Sequence, residues 1–437
     1  MKKLYIITLL WAFSGLSTIA NAQAPAWQWA KSAGGASGST NGQSISTDAS
    51  GNVFVTGDFN VASITFGTTT LTRAGGADIF VVKYDASGNV LWAKSAGGTS
   101  SDYADGISTD ASGNVLVTGS FASASITFGT TTLTNTLSNF PDIFVVKYDA
   151  SGNVLWAKSA GNTSSEKAYG ISTDTSGNVL VTGIFWSATI TFGTTTLTPV
   201  GGGDIFVVKY DASGNVLWAK SAGGTSSDYA NGISTDASSN VLVTGYYIST
   251  SVTFGTTTLT NVGLSDIFVV KYDASGNALW AKSAGGTDGE YALGIATDDN
   301  GSVMVTGSFG LSVTFGTTTL TSVNSSDVFV AKLDSTFTTD IMKNSNSLNA
   351  VNIFPNPFSN STTISFSLPQ SEKISIKIFD VTGRLVKTLA DGLFHEGENK
   401  IEWNATDGKR NAVNAGIYFL KFEVGNYSET KKLSIMK

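Results

Sequence analysis

One block, Asp-Ile-Phe-Val-Val-Lys-Tyr-Asp-Ala-Ser-Gly-Asn-Val-Leu-Trp-Ala-Lys-Ser-Ala-Gly-Gly (Asp78–Gly98), recurs almost unchanged along this chain. Its tryptophan falls at Trp29, Trp92, Trp156, Trp218 and Trp280, so the register advances by nearly the same step each time. One unit is therefore copied, and copies of one unit bury their faces against one another rather than in a private core.

Each unit holds four strand candidates, seen in the second copy at 106–109, 115–118, 143–148 and 154–158. Two of the connections share one turn, as in Asp110-Ala-Ser-Gly-Asn114 and Asp149-Ala-Ser-Gly-Asn153. The Asp side chain accepts backbone N–H groups there, and Gly supplies positive φ. The copy Asp236-Ala-Ser-Ser239-Asn240 has Ser at the Gly position, an expected cost of about 1 kcal/mol if the backbone is unchanged. Between strands two and three lies a Thr-rich piece, Ile126–Thr134, read as a small hairpin. Strand three is a continuous apolar run, which implies cover on both faces. A repeat period of roughly 40–50 residues with four strands apiece marks propeller blades, and the hairpin accounts for the extra length here.

The expected fold is all-β: a five-bladed β-propeller over residues 27–334, then a linker at 335–349 and a β-sandwich at 350–437. The first unit contributes only its last strand, at Trp27–Ser32, and the last unit lacks that strand after Val328–Leu333. Pairing the two would close the ring and remove both edges.

Only 14% of residues are charged, the net charge is −7, and no basic patch appears, which argues against nucleic-acid or anionic-membrane partners. Cysteine is absent, so disulfides, thiol catalysis and thiolate metal sites are excluded. Lys2-Lys3, an apolar run and Ala20-Asn-Ala22 read as a signal peptide at 1–22. No other stretch approaches the roughly 18 apolar residues of a membrane span.

The Asp-x-Phe-Val-x-Lys-Tyr-Asp, Ser-Gly-Asn and Val-Thr-Gly elements resemble the bacterial β-propeller repeat family of secreted and surface proteins. The final module has Pro355-Asn356-Pro357, Asp380-Val-Thr-Gly-Arg384, Gly416-Ile-Tyr418 and a Lys-containing end at 431–437. It resembles the C-terminal sorting domain of type IX secretion cargo. The module's seven short alternating strands read as an immunoglobulin-like sandwich, and the resemblance implies the type IX secretion machinery as partner, Sec export, outer-membrane passage, removal of the module on release or surface attachment, and an extracellular or surface-attached location.

Strand one is expected to line the channel with small uncharged residues. Near its mouth the copies read Asp102-Tyr103, Glu166-Lys167, Asp228-Tyr229 and Glu290-Tyr291. One reading is a ring of acceptor and stacking groups for a glycan or cationic ligand. The other is that each acid caps a turn and each tyrosine packs on the next blade. Alternation of strands puts the Asp turns at one end, as scaffold, and the unit-to-unit loops and Thr-rich hairpins at the other, tunable end. The Asp turns lack calcium-loop spacing, and the single histidine, His395, lies in the sorting module, so no metal or cofactor is expected.

The leading expectation is a non-enzymatic binding or adhesion protein whose ligand is a glycan or a surface protein. The alternatives are a carbohydrate-active enzyme using the channel-mouth carboxylates and a purely structural surface protein.

Overall fold

A computed structural model describes residues 26–334, 349–368, 370–424 and 427–436. The expected leader at 1–22 and all but the last residue of the expected linker lie outside them. The described residues are all-β and fall into two compact units, one holding the repeats and one beginning at Asn349.

In the repeat unit, four sheets have four antiparallel strands each, and the fifth has three. The second sheet is typical: Asp102–Thr109 pairs with Val115–Phe121, then Asp142–Tyr148, then Val154–Ala160. The two middle strands are buried on both faces, as their apolar runs require. Val117-Thr118-Gly119 has a specific use: Thr118 Oγ1 donates to the carbonyl of Phe144, 2.8 Å away, linking adjacent strands inside the core. A Cβ on Gly119 would collide with the carbonyl of Tyr103, where the first strand bulges between Ala104 and Gly106.

First strands of successive sheets lie side by side and are joined by a recurring bond. Thr109, Thr173, Thr235 and Thr297 each donate to the corresponding threonine carbonyl of the preceding sheet, at 2.8, 3.0, 2.8 and 2.8 Å. These strands are therefore innermost, as expected of propeller blades. Sheets radiating from an axis diverge outward, and the Thr-rich hairpins fill the gap. The hairpin of Ser125–Phe128 and Thr131–Thr134 rests on the outer strand of its own sheet and touches that of the preceding one. Its Ile126, Phe128 and Leu133 join a core drawn from both sheets. The hairpins are thus wedges between blades, and the expectation that they decorate the tunable end is corrected.

The repeated tryptophan also bridges blades. Trp92, Trp156 and Trp218 each donate the indole N–H to the turn carbonyl of Ala150, Ala212 or Ala274 on the following sheet, at 3.1 to 3.2 Å. The ring lies against the turn glycine: a Cβ on Gly152, at φ 82°, would stand 2.9 Å from the Trp92 indole.

The expected closing strand differs. Residues 26–34 form no strand and are absent from the fifth sheet, whose order ends at Asp327–Leu333. Trp29 instead stacks on Tyr84 of the first sheet, 5.9 Å between ring centroids, and donates to Ala86 O at 3.1 Å. Trp29 thus keeps the contact with the next blade that Trp92, Trp156 and Trp218 make, without the strand pairing that accompanies it there.

The second unit packs a three-stranded sheet (Asn349–Phe354, Thr362–Leu368, Gly397–Trp403) on a four-stranded one (Glu372–Asp380, Leu385–Phe394, Gly416–Val424, Tyr427–Ile435). The sandwich read from seven short strands is present. Its core includes Ile364, Phe366, Ile376, Trp403, Leu420 and Phe422.

Candidate functional site

The four acids expected at a channel mouth, Asp102, Glu166, Asp228 and Glu290, are fully buried. Asp102 accepts from Ser123 N and Oγ and from Gly98 N, at 3.1, 2.8 and 3.0 Å. Asp228 does the same with Ser249 and Gly224. Glu166 accepts from Ser187 N and Asn162 N. Burial raises all four carboxyl groups, Glu166 and Glu290 to about 7. They staple the loops around them, so the capping alternative describes the acids and the expected acceptor ring is not formed by them. Ser123, Ser187 and Ser249 follow Asp102, Glu166 and Asp228 at one fixed spacing, and that recurrence was the available signal. At the same spacing Glu290 has Leu311, and its Oε1 finds no hydrogen-bond partner.

The neighbouring residues fare differently. Tyr103, Lys167 and Tyr291 are exposed and Tyr229 is half-buried. Tyr229 stacks on Tyr246 at 4.7 Å and 14°; Tyr246 meets Tyr291 edge-on at 4.8 Å; Trp186 meets Tyr229 edge-on at 6.0 Å. A continuous aromatic row thus spans the third, fourth and fifth blades. Tyr246 enters because it is the cross-strand partner of Tyr229, a pairing visible only with the register in hand.

Beside this row lie the bulge residues of the first strands, a variable position that an alignment of the copies could have flagged: Gln43, Asp105, Tyr169, Asn231 and Leu293. Between near-invariant neighbours, five copies carry five different side chains. They also correct the expectation of an uncharged inner strand. Burial pushes Asp105 up to about 6, with the nearby Lys167 charge opposing and the Asp58 charge adding to the effect. Burial and the Asp105 charge push the Tyr169 phenol upward as well. Asp58 accepts from Asn41 Nδ2 at 3.1 Å. The surface is thus polar on blades one to three and aromatic on blades three to five. Such a surface can hold a ring against an aromatic face while neighbouring acids and amides meet its hydroxyls. Among the described residues no group of three or more His, Cys, Asp or Glu is placed to hold a metal ion.

In the second unit, the residues singled out for sorting are structural anchors at one edge. Asn356 donates to Lys432 O at 2.8 Å and accepts from Ser434 N at 2.9 Å, tying the Pro355-Asn356-Pro357 opening to the last strand. Tyr418, two residues after Gly416, donates to Asn414 O at 2.9 Å and packs edge-on against Trp403.

Residues 352–436 match the secretion system C-terminal sorting domain family, and residues 28–61 match the beta-propeller repeat family. The chain thus joins a β-propeller repeat to a type IX C-terminal sorting domain, which implies export to the cell surface or the extracellular space and contact with the secretion machinery. No helix among the described residues is long and apolar enough to cross a membrane. The chain is similar to an uncharacterized WD repeat-containing protein of Acanthamoeba polyphaga mimivirus, 28% identical over 61% of this chain and 24% of that protein. It is also similar to the regulatory protein FlaEY of Caulobacter vibrioides, 29% identical over 39% of this chain and 18% of that one. This chain therefore spans less than a quarter of either relative. Among solved structures, a Bacteroides caccae protein of unknown function aligns at TM-score 0.29 and 12% identity, over 65% of this chain and 78% of its own. PorZ, a surface component of the type IX secretion system of Porphyromonas gingivalis, aligns at TM-score 0.27 and 12% identity, over 90% of this chain and 59% of its own.

Proposed function

We propose that this protein is a non-enzymatic binding module that displays a glycan-recognition surface outside the cell. The observation that carries the reading is the aromatic row Trp186, Tyr229, Tyr246 and Tyr291, in which Trp186 and Tyr246 stand on positions that differ between otherwise copied blades. Packing needs are the same in every blade, so positions kept for packing repeat, whereas positions selected for a ligand diverge. Tyr103 and Lys167 extend the same rim, and Asp105 and Asn231 offer an acceptor and an amide beside it. A binding rather than catalytic role is supported by the fate of Asp102, Glu166 and Asp228, each directed at its own loop backbone in like surroundings, and of Glu290, buried and held by Gly286 N. A carboxylate pair working as acid and base needs unlike surroundings.

The test is glycan-array binding of the whole chain, followed by calorimetry on the best ligand. Tyr246→Ala combined with Tyr291→Ala is expected to weaken binding at least tenfold, with the melting temperature showing that both proteins are folded. Equal binding by a folded double variant, or no glycan bound by the wild type, overturns the reading.

A further inference from the structure

The first and fifth blades each leave one face bare, and the two bare faces are the two halves of a junction already repeated inside the unit. At the first junction Ile79 and Val81 of one blade pack with Ile107, Val115 and Val117 of the next. Ile143 and Val145 meet Ile171, Val179 and Val181 in the same way at the second. On the fifth blade the corresponding inserting residues are Val328 and Val330, 74% and 73% exposed where Ile143 and Val145 are 0% and 1%. On the first blade the corresponding receiving residues are Ile45, Val53 and Val55. They line an open groove with Trp29 and Ala33, and Ile45 is 67% exposed where Ile107 is 6%.

The strand pairing leads to the same place. Among the described residues, strand Asp327–Leu333 is hydrogen-bonded to a neighbour on one side only. Residues 29–33 read Trp-Ala-Lys-Ser-Ala, the sequence that pairs at that edge in the other blades. The shared register would set Ala30 opposite Ala331 and Ala33 opposite Val328. Residues 29–33 already sit where a preceding blade's outer strand belongs, since Trp29 contacts Tyr84 and Ala86 as Trp92 contacts Tyr148 and Ala150. Four junctions of matching geometry nonetheless leave the end faces uncovered, so five blades stacked this way do not come round to meet.

We propose that a second copy of this chain is the missing neighbour. Val328 and Val330 of one copy enter the Ile45–Val53–Val55 groove of the next, and residues 27–33 of that next copy complete the fifth blade as its fourth strand. The contact is head-to-tail, so it closes into a ring where the rotation permits and otherwise extends into a chain of copies.

The absence of native cysteine makes the test direct. Full chains carrying only Ala30→Cys are mixed with full chains carrying only Ala331→Cys and bridged with a short bis-maleimide. A covalent heterodimer from the mixture, absent when either variant is treated alone, is expected. Light scattering of the wild-type chain is expected to give at least twice the monomer mass, and Val330→Asp, at an exposed site, to return it to monomer. A monomeric wild type overturns the proposal, as does a double variant (Ala30→Cys with Ala331→Cys) that bridges within one chain while the mixture does not. Failure of the mixture to cross-link at concentrations where the wild type is oligomeric also overturns it.

Discussion

Ser239 occupies the one turn position of the nine that is not glycine, and it keeps the backbone of its siblings, at φ 61°. The expected strain of about 1 kcal/mol is met by a bond the other turns lack, between Ser239 Oγ and Thr175 Oγ1 at 2.9 Å. A net hydrogen bond of this kind contributes about 0.5–1.5 kcal/mol, so strain and bond nearly cancel. Ser239→Gly should therefore change stability little in the native background and stabilise by about 1 kcal/mol once Thr175→Ala has removed the bond. Urea unfolding of the four proteins checks this, and equal effects in both backgrounds would contradict it. The same scale shows why site residues were harder to read than strands. Asp102 beside Tyr103 looks like a binding pair, yet strand alternation sends one into the core and the other outward. The bulge at Asp105 then changes which residues share a face, and a bulge leaves no mark in the residue count of a single copy.

At the scale of elements, each of the first three junctions couples a tryptophan to a glycine one blade on. Gly214 holds φ 82°, and a Cβ there would approach the Trp156 indole to 2.8 Å. Trp156→Ala should cost about 3 kcal/mol through lost packing. Gly214→Ala should cost about 1–2 kcal/mol from the left-handed backbone and the clash together. The double variant should cost less than the sum by about 0.5–1 kcal/mol, because the clash disappears with the ring. Additive free energies from denaturant curves would mean that the two do not touch. Strands and turns were legible because period-two burial and the Asp-Ala-Ser-Gly-Asn turn are local. The hairpin Ile126–Thr134 was legible as an element but not as a wedge. Its position depends on the divergence of neighbouring blades, which no single unit encodes.

For the whole repeat unit, buried acids set the response to pH. Burial pushes Asp78, Asp204 and Asp266 up to about 6, and Glu166 and Glu290 to about 7, from ordinary values of 3.8 and 4.5. Between about pH 4 and 7 the folded protein therefore binds protons that the unfolded chain has released, and stability falls as pH rises through that window. The turn aspartates act oppositely: hydrogen bonds from Asn89 hold Asp85 below its usual range, as Asn153 does for Asp149, so their contribution is lost on acidification below about pH 4. The melting temperature of the propeller should be higher at pH 5 than at pH 8 at fixed ionic strength; a flat or rising profile would show that these acids are ionised in the fold. Closure was the feature the chain order suggested most directly and the structure met least. Matching Trp27–Ser32 to the vacant edge identifies which strands complement each other but not whether the curvature of five blades brings them together.

The blade-to-blade bonds have a genetic consequence. The first three internal junctions are made by the same threonine, tryptophan and alanine positions, so removing or duplicating one whole unit among the first four blades replaces a junction with an equivalent one. Recombination between copies can therefore change the number of blades without creating a mismatched surface, while the divergent bulge and rim positions shuffle into new combinations. A lineage carrying this architecture can revise what its outer surface presents by unequal exchange, faster than by point substitution.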